Sequence, residues 1–127
     1  MPNNIKEITV GEHCIGVASG DEWRNGTPGE FNYTGHGTAF DINVRVFAKD
    51  QIVTAEPNVK EEEIATVLEG SFLIQADDES YEITVGEGIL IPPSTHRTWT
   101  CLTERGTLYR VLTLDQPEVA YTPLKKS

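Results

Sequence analysis

The chain has 127 residues, which fits one domain and leaves little room for a second. Ten Lys and Arg against 20 Asp and Glu give a net charge of -10, which argues against nucleic-acid binding and against attraction to anionic membrane. Two cysteines with no Cys-x-x-Cys pair indicate neither a disulfide framework nor a thiolate metal site, so Cys14 and Cys101 read as reduced, buried thiols.

The start, Met1-Pro2-Asn3-Asn4, lacks the pattern of a signal peptide, and runs such as Gly88-Ile89-Leu90-Ile91 are too short to span a bilayer. A cytoplasmic protein is expected. Residues 14–18 read as a first strand. A Gly-rich region follows with Trp23, Phe31 and Tyr33, aromatics that suit a lid or dimer contact if exposed and a barrel plug if buried. In Phe40-Asp41-Ile42-Asn43-Val44-Arg45-Val46 the four apolar residues share one face of a strand, and Asp41, Asn43 and Arg45 share the other. Glu61-Glu62-Glu63 has helical propensity, but the continuation to Val67-Leu68-Glu69-Gly70 fits a strand and turn better. Further strands are expected at residues 64–74, 81–85, 89–91, 98–102 and 107–114, separated by turn signals such as Gly86-Glu87-Gly88 and Arg105-Gly106. This is an all-β pattern, an antiparallel barrel of jelly-roll type. The expected organisation is a single domain over 1–127: an N-terminal arm and first strands (1–35), a barrel core (36–114) and a C-terminal arm (115–127).

The stretch from Glu61 to Arg110 carries Val67-Leu68-Glu69-Gly70, a polar hairpin at 76–80, then Gly86-Glu87-Gly88-Ile89-Leu90-Ile91-Pro92-Pro93. It resembles the cupin superfamily, and Pro92 to Trp99 resembles a segment of the metal-poor branch that includes ethanolamine-utilisation cupins. The resemblance implies a double-stranded β-helix barrel with a small-molecule lumen. It also implies tight corners at Gly70 and Gly86, where glycine supplies backbone freedom.

Active cupins usually hold a metal through two histidines and a glutamate in a first motif and a histidine in a second. Carried onto this chain, the glutamate falls on Glu63. The first-motif histidines fall on Glu56 and Asn58, or on Pro57 and Val59, and the second-motif histidine falls on Arg97, with Ser94 at a family glycine. The histidine set is therefore missing, and no cofactor is expected. A mixed site from Glu56, Glu63 and His96 is the remaining metal reading, although the run Lys60 to Glu63 also suits a solvated face. Strand parity separates two frames. If His96 faces inward, so do Thr98 and Thr100; if Arg97 does, Trp99 and Cys101 join it, and burial favours the second frame.

In a metal-free lumen, Glu63 is the candidate general base, with His96 or Tyr109 as acid or hydrogen-bond donor. Glu56, Asn58, Arg97, Trp99 and Tyr109 are candidate ligand contacts. The plainer alternatives are core filling for Trp99, a half-buried strand position for Tyr109 and a solvated loop for His96. A guanidinium of Arg45, Arg97 or Arg110 facing the lumen suits a carboxylate or phosphate, and otherwise a surface ion pair. Three functions follow as expectations: an acid–base isomerase, cyclase or dehydratase; a non-catalytic small-molecule-binding protein; a metal-dependent dioxygenase or isomerase. On the first, Glu63→Gln should abolish turnover with little change in melting temperature. The expected partners are a small-molecule ligand and a second copy in a homodimer.

Overall fold

A computed structural model describes residues 14–55 and 61–114. Among these described residues, nine strands run β1 (Asn32–His36), β2 (Phe40–Ala48), β3 (Ile52–Ala55), β4 (Glu63–Glu69), β5 (Ser71–Ala76), β6 (Glu79–Thr84), β7 (Gly88–Ile91), β8 (Arg97–Cys101) and β9 (Arg105–Thr113), after a five-residue helix α1 (Gly20–Arg24). One sheet has the order β1-β2-β9-β4-β7 and the other β3-β8-β5-β6, with every neighbouring pair antiparallel. The all-β jelly-roll architecture read from the sequence is the one found.

The core lies between the sheets. Phe47, Ala65, Val67, Ile91 and Leu108 come from the first sheet and Phe72, Ile74, Ile83, Trp99 and Cys101 from the second, all at least nine-tenths buried. Phe47 meets Phe72 edge to face, with ring centroids 5.0 Å apart. Two corners are left-handed as their glycines allow, with φ of 76° at Gly70 and 87° at Gly86. A Cβ at Gly70 would strike the backbone of Arg105 and Gly106.

Several local expectations are corrected. Residues 14–18 form no strand, only an isolated bridge at Ile15, and Cys14 is exposed rather than buried because it lies ahead of the first packed element. The expected strand at 64–74 is two strands, split by the left-handed turn at Gly70. Strands β1 and β3 lack clean apolar alternation, and α1 is too short for helical periodicity to show. Its stop-and-start signal is instead a capping box: Ser19 Oγ accepts from the Glu22 amide at 3.2 Å, and the Glu22 carboxylate accepts from the Ser19 amide at 2.7 Å. Arg105 ties the end of α1 to the barrel, donating to the carbonyls of Trp23, Arg24 and Gly26 and to Glu69. The expected C-terminal arm, 115–127, lies outside the described residues.

Candidate functional site

Register decides which face of each strand looks inward. Asn43 pairs with Arg110, Arg45 with Leu108 and Phe47 with Gly106. Residues directly opposite share a face, and Phe47 and Leu108 are core. The polar face of β2 is therefore the interior one. Val44 and Val46 are fully buried on the other side of the sheet, where α1 lies against β2. On β8 the inward residues are Arg97, Trp99 and Cys101, each fully buried. His96 precedes the strand in the β7–β8 loop, its amide donating to Asp77 Oδ1 at 3.1 Å.

These faces bring together one ion-pair cluster. Glu63, 1% exposed, begins β4. Its Oε1 accepts from Arg97 Nη1 at 3.0 Å and its Oε2 from Arg110 Nε at 2.5 Å. Arg97 also donates through Nε to the Thr95 carbonyl and through Nη2 to the Pro92 carbonyl, both at 3.0 Å, which fastens the β7–β8 loop. Arg110 Nη1 reaches Asn43 Oδ1 at 3.4 Å, and its guanidinium lies 5.6 Å from the centre of the Trp99 ring. Asn43 Nδ2 donates to Asn32 Oδ1, the Tyr33 carbonyl and Thr34 Oγ1, tying the cluster to β1. Desolvating this many charges is costly, and such a cluster persists only when each charge is matched by hydrogen bonds.

Two groups in this region lack hydrogen-bond partners. Trp99 Nε1 is fully buried and makes no hydrogen bond. Arg45 lies 5.5 Å from the centre of the Phe47 ring and makes no hydrogen bond or ion pair among the described residues. Burial, and after it the neighbouring Arg110 charge, pull the Arg45 guanidinium below its ordinary value.

Of the residues singled out from the sequence, Glu63, Arg97 and Trp99 stand together, and the solvated alternative for Glu63 is overturned by its burial. Tyr109 pairs with Val44 and Thr66 on the outer face, away from the cluster. Glu56 and Asn58 lie outside the described residues. The described members of the expected donor set do not fit a metal. No three His, Cys, Asp or Glu among the described residues could hold one, and both oxygens of Glu63 face guanidiniums, which would repel a cation. Asn43 is the member that the sequence reading missed. Its signal was the polar alternation of β2, which does not say which face is interior.

No family model and no curated protein matches the sequence. Solved structures do match. A cupin superfamily protein from Desulfitobacterium hafniense aligns with a TM-score of 0.62 at 14% identity over 72% of this chain and 84% of its own. The cupin domain of Schizosaccharomyces pombe Cnp3 aligns with a TM-score of 0.62 at 7% identity over 81% and 77%. An HTH_3 family transcriptional regulator from Vibrio cholerae aligns with a TM-score of 0.61 at 18% identity over 67% of this chain, which spans 51% of the regulator. The chain has the cupin fold; identities this low carry the fold and no activity.

Proposed function

We propose that the chain binds a small polar molecule at the interior end lined by Asn43, Arg45, Arg110 and Trp99, without a metal. The observation that carries this reading is the set of guanidinium donors left over on the inner face: Arg45 makes no hydrogen bond or ion pair among the described residues, and Arg110 Nη2 makes none. The surrounding side chains, on the inner faces of β2, β8 and β9, are polar where sheet packing alone would call for apolar ones.

Binding is favoured over acid–base catalysis by what Glu63 does. Both of its oxygens already accept guanidinium hydrogen bonds, so its role in this proposal is to position Arg110. His96 stands in a loop beside Asp77 and contributes no hydrogen bond to the cluster. The test is a metabolite panel read by the 1H–15N signal of the Trp99 indole, told apart from Trp23 by a Trp23→Phe variant. A saturable shift without product formation supports the proposal, and turnover abolished by Glu63→Gln in a variant whose backbone amide spectrum shows the fold kept would return Glu63 to the role of base. A homodimer belongs to the same proposal. Exposed Ile64 and Leu90, paired across β4 and edge strand β7, support it, and sedimentation equilibrium tests it.

A further inference from the structure

We infer that the outer face of the first sheet docks a second copy of this chain about a two-fold axis parallel to β9, seating Leu90 of each copy in the groove beside Ile42 of the other. This deepens the homodimer reading above, on which it rests, by naming the surface and the symmetry. Gly35 pairs with Ile42, Ile42 with Val111, Val111 with Ile64 and Ile64 with Leu90, so these five residues form one row across all five strands. The next row reads Tyr33, Val44, Tyr109, Thr66 and Gly88. Both rows lie on the face turned away from Phe47 and Leu108. None of these ten positions is charged, in a chain where 24% of residues are. Charged side chains collect on surfaces and are depleted where an interface is dry, so two whole rows without one mark the second kind of surface.

The face has two unlike halves. Over β2 lies α1, with Val44 fully buried, and Ile15 and Val17 wall a groove of about 550 Å³ together with Tyr33, Gly35, Phe40 and Ile42. Ile15 itself is 81% exposed. Over β4 and β7 nothing comparable lies among the described residues, and Ile64 and Leu90 are 55% and 58% exposed. An axis in the interface and parallel to the strands reverses the order of the row. Val111 then meets the partner's Val111, Ile42 meets the partner's Ile64, and Gly35 meets the partner's Leu90. The one position without a side chain thus faces the most exposed side chain of the row, and the walled half of each copy covers the bare half of the other. That self-complementarity is what an isologous contact requires.

Charge and area agree with this occupant. Two chains of net charge -10 repel at long range, and an uncharged meeting surface adds no repulsion at contact. Phe40 and Thr113 extend the face by a third row. Five strands and three rows span roughly 24 Å by 20 Å, about 1,000 Å² over both copies, which is the low end for a specific interface. The dimer is therefore one that dissociates on dilution.

The experiment is sedimentation equilibrium of the full chain from roughly 1 to 100 μM, with a thiol reductant present to exclude dimers joined through exposed Cys14. L90K and I15D are each expected to weaken dimerisation by roughly tenfold or more, since each puts a charge into an apolar contact. An equimolar mixture of the two should dimerise again, because the heterodimer keeps one native contact and sets the introduced ammonium against the introduced carboxylate at the other. I52K, on the outer face of the second sheet, should change nothing. Added salt should strengthen the native dimer by screening the net repulsion. Backbone amide spectra check that each variant keeps the fold, and if L90K fails this check L90A decides. A dimer indifferent to both L90K and I15D, or one that salt weakens, would overturn the inference. Dissociation by the single variants without recovery on mixing overturns the two-fold placement and leaves the homodimer standing. A native chain that stays monomeric throughout defeats both and leaves the small-molecule reading untouched.

Discussion

Replacing Glu63 by Gln tests the cluster most directly. The carboxylate accepts from a fully buried Arg97 and a mostly buried Arg110, one on each oxygen. An amide keeps one acceptor and turns an NH2 donor toward the other guanidinium. It also removes the carboxylate that, among the described residues, forms ion pairs with both Arg97 and Arg110. Breaking a buried pair from one side costs about 3–5 kcal/mol, because the partner charge stays buried without compensation. For a domain of this size that is a fall of roughly 10–20 °C in melting temperature. The unchanged melting temperature expected from the sequence for this variant is therefore replaced by a large loss. Urea unfolding gives the measurement, with an unchanged slope showing that the variant still unfolds from a compact state. Adding Arg97→Met should recover part of the loss, giving a coupling of about 0.5–3 kcal/mol between the two positions. A loss for Glu63→Gln below about 1 kcal/mol, within the range of an exposed pair, would refute this account of the cluster.

Three other perturbations follow from the fold. Ser94 is exposed and holds φ at 61°, where the family resemblance places glycine, so Ser94→Gly should raise unfolding free energy by about 0.5–1 kcal/mol. Gly70→Ala should lower it by about 3 kcal/mol, since both the backbone angle and the room beside Arg105 and Gly106 are lost. Burial pushes the Cys101 thiol up, with Asp50 adding to it and the hydrogen bonds to Thr103 opposing. A thiol-specific reagent should therefore modify exposed Cys14 at once and Cys101 only on unfolding. Because the folded thiol binds its proton more tightly than the unfolded one, its contribution to stability is complete below the ordinary thiol range. That contribution fades as pH rises through the higher folded value, and Cys101→Ala should flatten the alkaline fall in stability.

The β8 frame was legible because Trp99 and Cys101 make better core residues than Thr98 and Thr100, and this parity carries Arg97 inward with them. Glu63 was legible only through the family spacing; composition alone placed it in a solvated acidic run. The orientation of β2 was not legible. Its apolar face looked like the core face, yet a sandwich sheet covered on both sides can bury Val44 and Val46 outside while Asn43 and Arg45 turn inward. Alternation reveals two faces and gives no sign of which one meets the opposite sheet. Strands β1 and β3 escaped for a related reason, because Gly35 and the polar residues of β1 break the apolar pattern that marks a strand.

Arg97 occupies the place where the family resemblance puts a metal-binding imidazole, and it holds the β7–β8 loop and Glu63 at once. A cation that is part of the polypeptide arrives with every molecule made. It needs no loading step and cannot be stripped by a chelator. Its cost is fixity: a guanidinium cannot be exchanged for another ion or change oxidation state, so any variation in the chemistry of this barrel must come from the side chains around it.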